Sequence, residues 1–349
     1  MAWGQWVVGA VVGVAVAVGG YRKRSLSGSG AVAAALVGGL TLGAGAVWGV
    51  ILLAFYFSGS AFTRFKAERK AALDLEYRGG GGERDASQVA ATAGLGGALV
   101  AAYCTLTSWA DPPTPRVMVP WGASSDGGGL GSALLLGYLA AFAMVCGDTW
   151  ASELGILATG QPVLITSCRR VPPGTNGAVS AWGTAMSIAG GAFIGAVAAV
   201  TLAASALVSG APGSAANASL SAAAWCIAVG AVAGGGGSAL DSVLGALVQR
   251  TWVHRPSGKI TSRLSPEAMA AAAPHGGDGG SSVATLDTTP ESAAAARRRR
   301  AAEPPALSPP PPPSPAAFDV VCGSDLLSNE GVNFVTSALT AAAVVLATR

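Results

Sequence analysis

Seven long apolar runs limit what this chain can fold into. They cover roughly residues 3–20, 31–57, 88–106, 130–147, 184–209, 220–248 and 332–347. One helical crossing of a bilayer needs about 20 apolar residues, and only helices or closed barrels satisfy every backbone hydrogen bond in lipid. The runs therefore predict an all-α fold, a polytopic transmembrane helical bundle with about 7–8 membrane segments.

Composition agrees with this fold class. Only 11% of the residues are charged and 51% are hydrophobic, whereas water-soluble domains carry roughly 25% charged residues. The 50 glycines favour helices that pack closely in lipid. The net charge of +3 is spread over loops and gives no reason to expect a nucleic-acid partner. The expected partner is the lipid bilayer.

Basic residues predict which loops face the cytosol. The loops at 107–129 and 210–219 hold only Arg116, whereas the alternate loops are rich in Lys and Arg. Run 31–57 has basic flanks at both ends, so we expect it to cross twice or to re-enter, with a turn near residues 43–45. The loops predicted to be cytosolic contain residues 22–24, 64–70, 169–170 and 250–300.

Residues 253–320 differ from the rest of the chain. Pro, Ala, Ser and Gly dominate there, with an arginine run at 297–300 and a proline run at 309–313. Such a segment has too little apolar surface to form a core. We therefore predict a transmembrane domain at 1–252, a disordered cytosolic insert at 253–320, and the last segment of the same domain at 321–349.

The first polar cluster lies where an apolar run meets a loop, at Asp148, Thr149 and Glu153. An unpaired carboxylate at a membrane boundary costs several kcal/mol, so such a cluster usually marks a functional site. The alternative is that Asp148 is only the N-cap of a helix that follows a break at Gly147.

Two further polar clusters lie inside or beside apolar runs. Asp241 and Gln249 share a helical stripe with Gly237 and Gly245, and Asn329 and Asn333 recur four apart on the last run. The alternatives are a packing seam around Asp241, and a last helix capped by Ser328 whose asparagines join helices.

A basic, glycine-rich loop follows the first cluster. Arg169 is followed by Gly174, Thr175, Asn176 and Gly177. Arginine and loop amides suit phosphate oxygens, although a simple turn in a positive-inside loop explains the same residues.

Together these residues predict one chemistry. Asp148, Glu153 and Asp241 are the predicted metal and catalytic residues, since a few carboxylates hold Mg²⁺ while substrate phosphates complete its coordination. Catalysis would then consist of positioning and charge stabilisation. The predicted phosphate and substrate ligands are Thr149, Arg169, Gly174, Thr175, Asn176, Gly177, Gln249, Asn329 and Asn333.

The same stretches resemble the transmembrane protein 19 family of membrane proteins. The likeness lies in residues 147–155, 173–177 with Gly183 and Thr184, 238–249 and 329–334, and in the N-terminal stretches 23–26 and 61–76. It covers nearly the whole chain except the insert.

The resemblance implies a lipid substrate. The family includes plant and cyanobacterial phytyl-phosphate kinases, which use CTP or another nucleoside triphosphate. It implies that Asp148 and Glu153 bind metal and phosphate, that residues 175–177 form the phosphate loop, and that Asp241 and Asn333 line the remaining walls.

The resulting hypothesis is a Mg²⁺-dependent CTP:prenyl-phosphate kinase with a cytosol-facing site. The alternatives are a transporter or channel, which buried Asp241 also suits, and a non-catalytic regulatory membrane protein. We expect the plasma membrane or an endomembrane, with the chloroplast envelope as the alternative location.

Overall fold

The fold is a bundle of long apolar helices, seen here in a computed structural model. It describes residues 3–75, 82–109, 129–209, 219–265 and 317–348, together with 268, 269 and 272. Within these residues the helices are α1 Gly4–Arg22, α2 Gly28–Ala44, α3 Ala46–Arg64, α4 Ala67–Ala71, α5 Ala86–Leu106, α6 Leu130–Gly155, α7 Ala181–Ser209, α8 Leu220–Val248 and α9 Asn329–Ala347.

Seven of the described helices are long and apolar enough to cross a membrane, namely α1, α3, α5, α6, α7, α8 and α9. The shorter apolar helix α2 is joined to α3 by Gly45, whose φ of 142° strongly favours glycine. Run 31–57 therefore forms two helices, with the turn where we predicted it. Both helices extend past the run into its flanks, so they are longer than half of it. The chain is an integral, multi-pass membrane protein.

Helix α6 is the central helix of the bundle. Every residue from Leu135 to Gly147 is buried, as expected for a helix that is apolar on all sides. Tyr138 and Phe142 pack against each other, and the Tyr138 hydroxyl donates a 2.5 Å hydrogen bond to the carbonyl of Trp48 on α3. The polar residues that end α6 are thus held by its most deeply packed part.

Glycines bring α6, α7 and α8 together almost backbone to backbone. A Cβ on Gly147 would clash with the Cα of Gly234 at 2.9 Å, and a Cβ on Gly234 would lie 2.6 Å from the carbonyl oxygen of Ser187. A Cβ on Gly191 would meet the Gly230 carbonyl. Small residues allow this approach, which lets dispersion forces and short polar contacts act between helices.

Two small sheets lie in the loops at the basic ends of the helices. β1 Val163–Leu164 pairs with β2 Ala178–Val179, and β3 Thr251–His254 lies between β4 Ile260–Thr261 and β5 Phe318–Cys322, all antiparallel. The Leu75 N–H donates to the Ile260 carbonyl, and Leu26 and Arg84 form a parallel bridge. The described parts of the loops that we predicted to be cytosolic therefore meet at one end of the bundle, called here the basic end.

The three-stranded sheet of β3, β4 and β5 includes residues that we had assigned to the disordered insert. Residues 253–254, 260–261 and 318–320 were assigned to a disordered segment, but they are paired in strands, with Phe318 and Ile260 buried. Short alternating strands of this kind carry little apolar surface, so composition alone did not separate them from the Pro-rich part. The stretch from 273 to 316 lies outside the described residues.

The close contact of Gly147, Gly191, Gly230 and Gly234, called here the glycine seam, suggests a matched pair of substitutions on α8. Gly234→Ala should destabilise the protein by about 1–3 kcal/mol, because the added methyl overlaps α7 backbone atoms. Gly236→Ala should be neutral or stabilising, because nothing lies within 4 Å of its Cβ position and alanine favours a helix. Thermal unfolding of both purified variants in detergent measures the difference. Equal shifts in melting temperature would contradict the claim that close backbone packing at Gly234 stabilises the bundle.

Candidate functional site

A cavity of about 630 Å³ lies among the helices and reaches the basic end. Its polar part brings together all the predicted site residues except Arg169. Those that line it are Asp148, Thr149, Glu153, Gly174, Thr175, Asn176, Gly177, Asp241, Gln249, Asn329 and Asn333.

Two carboxylates from different helices, Asp148 and Asp241, line this cavity. Ser238 Oγ donates to Asp148 Oδ1 at 2.9 Å, and Thr336 Oγ1 donates to Asp241 Oδ2 at 3.1 Å. The two carboxyl groups are close enough to interact electrostatically, and both residues are half-buried. Helices α6, α8 and α9 thus meet at an acidic pair.

The structure excludes the capping alternative for Asp148. Helix α6 runs without a break through Gly147 to Gly155, so Asp148 lies inside the helix and its backbone is in the helical ladder. Trp150 anchors this end by packing on Phe62 of α3 and Phe193 of α7. The opposite side of the same turn presents Asp148 to the cavity.

Glu153 forms an ion pair that the sequence did not predict. Its carboxylate accepts a 2.7 Å hydrogen bond from Thr63 Oγ1 and forms a 2.5 Å ion pair with Lys70, whose side chain is 2% exposed. The Lys70 ammonium also donates to the carbonyls of Phe62 and Thr63, near the end of α3. A cation there satisfies carbonyls that have no partner within the helix.

The predicted three-carboxylate metal set is not assembled. In the part of the chain that the structure describes, no group of three or more His, Cys, Asp or Glu side chains could hold a metal ion. Glu153 is already paired with Lys70, so the candidate metal ligands reduce to Asp148 and Asp241.

Arg84 and Lys70 are cavity-lining cations that were not predicted as site residues. Arg84 donates to Ser60 Oγ at 3.3 Å and to Thr63 Oγ1 at 3.2 Å, and burial lowers the pKa of its guanidinium. The Glu153 carboxylate also attracts Arg84, so Arg84, Lys70 and Glu153 form one cluster of two cations and one anion, and its net positive charge favours a bound anion. Lys70 lies 83 residues from Glu153, and no sequence spacing indicates that pairing.

The predicted phosphate loop forms a braced wall. Thr175 is buried and its hydroxyl donates to the Pro172 carbonyl, while the Asn176 amide N–H donates to Thr251 Oγ1. Gly174 and Gly177 have φ values of 86° and 75°, which explains the glycines. These contacts favour a structural role for the loop and leave fewer of its donors for phosphate.

Arg169 does not reach the cavity. It is exposed in the turn between β1 and β2, and its carbonyl accepts from the Leu164 N–H. The structure therefore favours the alternative interpretation of this residue, a charge in a positive-inside loop.

The other predicted wall residues, Gln249, Asn329 and Asn333, lie at the end of α8 and in the first turns of α9. Gln249 is buried, whereas Asn329 is exposed and Asn333 is half-buried. Ser328 Oγ accepts from the Gly331 N–H, so the capping role that we considered for Ser328 is confirmed.

The rest of the cavity wall is apolar. It is formed by the facing sides of α1, α2 and α3, including Val16, Val37, Leu42, Leu52 and Phe55. From Gly28, where α2 begins at the basic end, to Leu42 the helix advances by roughly 21 Å at 1.5 Å per residue, so the apolar lining reaches well away from the basic end.

Fold and site together define a polytopic helical membrane protein with a cavity that is charged at one end and apolar along its length. Residues 11–341 match the family described as integral membrane protein DUF92, and the chain belongs to that family.

Three relatives are similar to parts of the chain. Protein PGR of Arabidopsis thaliana is 34% identical over 185 residues, which is 53% of this chain and 61% of that protein. An uncharacterized membrane protein of Synechocystis is 37% identical over 143 residues, 41% of this chain and 47% of its own length. One from Methanocaldococcus jannaschii is 43% identical over 61 residues, 18% of this chain and 26% of its own. No solved structure matches the chain.

The ion pair at the end of α3 yields a stability prediction. Lys70→Met should destabilise the protein by about 1–3 kcal/mol, because it leaves the half-buried Glu153 carboxylate without its cation and the end of α3 without a donor. The double variant Lys70→Met/Glu153→Gln should recover much of this loss, as judged by thermal unfolding in detergent.

Arg255→Met serves as the control for that series, since it breaks the exposed Arg255–Asp319 pair and should leave the melting temperature nearly unchanged. Equal destabilisation by Lys70→Met and Arg255→Met would show that the Lys70–Glu153 pair contributes no more to stability than the exposed Arg255–Asp319 pair.

Proposed function

We propose that this protein transfers a phosphoryl group from a nucleoside triphosphate, such as CTP, to an isoprenoid monophosphate. One observation carries the proposal: a single cavity joins an acidic pair and two cations to a long apolar wall. An amphiphile with a phosphate head and a branched hydrocarbon tail has matching chemistry at both ends.

The acidic pair is suited to Mg²⁺. This ion is usually held by one or two carboxylates while its other ligands are waters and substrate phosphates, so Asp148 and Asp241 are sufficient protein ligands. When bound, Mg²⁺ would neutralise and orient the phosphate oxygens of both substrates. Ser238 Oγ and Thr336 Oγ1 each lie within hydrogen-bond distance of one of the two carboxylates and help to orient it.

Arg84 is the cation suited to the lipid phosphate. It is held by Ser60 and Thr63, whereas Lys70 already directs its ammonium to Glu153 and to the carbonyls of Phe62 and Thr63, and adds only its charge. Together they line the cavity at the junction of its polar and apolar parts, beside Tyr56 and Gly59. A phosphate held there places its tail along the facing sides of α1, α2 and α3.

The proposed transfer does not require a side chain to act as nucleophile or general base. The second pKa of a phosphate monoester is about 6, so its attacking oxygen already carries negative charge at neutral pH. The protein must bring two anions together, hold them in line and exclude water. Fixed carboxylates, a fixed guanidinium and an apolar wall supply these functions.

Asp148→Asn and Asp241→Asn should each lower phosphoryl transfer by about a hundredfold or more, because the metal site loses a charged ligand. The assay follows label from γ-labelled CTP to phytyl phosphate or farnesyl phosphate with purified protein and Mg²⁺. Asp319→Asn, at an exposed position of strand β5, is the matched control and should transfer at the wild-type rate. Wild-type rates in both aspartate variants would exclude this role for the pair.

Arg84→Gln should raise the KM for the prenyl phosphate by about tenfold with a smaller change in kcat, because a charge-assisted phosphate contact is lost. Arg84→Lys should recover part of the affinity, and Arg169→Gln should have no effect because Arg169 lies outside the cavity. A wild-type KM in Arg84→Gln would exclude Arg84 as a phosphate ligand.

The acidic pair within the bundle also suits a cation-coupled transporter. Solute flux into proteoliposomes that requires Asp148 and Asp241, without nucleotide turnover, would favour that function over phosphoryl transfer.

A further inference from the structure

A second cavity, of about 940 Å³, lies at the basic end next to the first. The two share the wall formed by Asn176, Gln249, Asn329 and Glu330. The lining of the second cavity is mainly polar or charged and lacks the apolar wall of α1, α2 and α3. Its volume lies within the range of about 300–1,000 Å³ that is usual for small-molecule sites.

Arg250 is the notable side chain of this cavity. It follows the C-cap of α8, and its carbonyl accepts from the Asn176 side chain. Its guanidinium lies 5.7 Å from the centre of the Trp252 ring, and its Nε is buried with no hydrogen-bond partner among the described residues. A buried arginine donor without a partner is costly, and a phosphate oxygen would satisfy it.

The remaining polar groups of the second cavity fit the other parts of a nucleotide. Asp325 and Glu330 add carboxylates to the wall. Arginines pair with phosphates in a bidentate manner, and carboxylates accept hydrogen bonds from ribose hydroxyls. A simple anion would use only Arg250, whereas a nucleoside triphosphate would use Arg250 and the carboxylates.

We propose that the second cavity binds the donor nucleoside triphosphate and presents its γ-phosphate across the shared wall. This inference rests on the proposed function. A non-bridging oxygen of the lipid phosphate in the first cavity forms a bond to Pγ. The bond from Pγ to the β–γ bridging oxygen breaks, and its electron pair leaves with the nucleoside diphosphate. The products are a prenyl diphosphate and that nucleoside diphosphate.

The test measures binding without turnover. Full-length protein in detergent is titrated with a fluorescent CTP analogue and Mg²⁺, and separately with farnesyl phosphate. Arg250→Gln should weaken nucleotide binding by about tenfold or more, because a charge-assisted phosphate contact is lost, and should leave farnesyl phosphate binding within about twofold of the wild type.

Two further variants guard against misfolding and non-specific charge effects. Ser262→Trp fills the second cavity without changing its charge and should also weaken nucleotide binding. Arg255→Gln removes an exposed charge from the loop after β3 and should bind nucleotide like the wild type. Wild-type nucleotide affinity in both Arg250→Gln and Ser262→Trp would overturn the assignment.

The two proposals fail differently. A wild-type protein that binds nucleotide through Arg250 but transfers no label to any prenyl phosphate contradicts the kinase function and supports the nucleotide site. Phosphoryl transfer with a wild-type nucleotide KM in Arg250→Gln and Ser262→Trp contradicts the nucleotide site and supports the kinase function.

Discussion

The backbone contact between α6 and α8 sets the geometry of the acidic pair. Gly147 and Gly234 approach so closely that a Cβ on either would overlap the other helix or α7. Asp148 is the next residue on α6, and Ser238 is one turn further on α8, so their 2.9 Å hydrogen bond follows from the glycine contact. Larger residues at the seam would separate the helices and leave a carboxylate without its donor, which is costly in an apolar bundle.

The charges at the basic end are balanced by a network of polar contacts between residues that are far apart in sequence. Lys70 lies on the short helix α4 and reaches both Glu153 at the end of α6 and the last carbonyls of α3. Arg84, next to the capping box that begins α5, reaches Thr63, which also donates to Glu153. This network joins α3, α4, α5 and α6, so the cations that line the cavity are also the groups that hold its wall together.

Much of the fold and part of the site could be predicted from the sequence. Hydropathy and basic flanks predicted the membrane helices and the turn near Gly45, because these signals are local or repeat along one helix. Carboxylates within apolar runs made Asp148 and Asp241 candidate site residues, and both line the cavity. Spacing could not predict that Lys70 pairs with Glu153, since that contact depends on tertiary packing. Arg169 was wrongly assigned to the cavity because composition cannot distinguish a turn that faces solvent from one that faces a site.

The strands at the edges of the Pro-rich stretch explain how a long insertion is compatible with this cavity. β3 and β5 pair side by side, so the chain leaves the bundle and returns to it at neighbouring points. Immediately after β5, the N–H groups of Ser324 and Leu326 donate to the Leu247 and Val248 carbonyls, which caps the end of α8. The start of α9 is thereby fixed to the end of α8 by main-chain contacts that do not involve the insert. Asp241 and Thr336 can meet across α8 and α9 whatever residues separate the two strands.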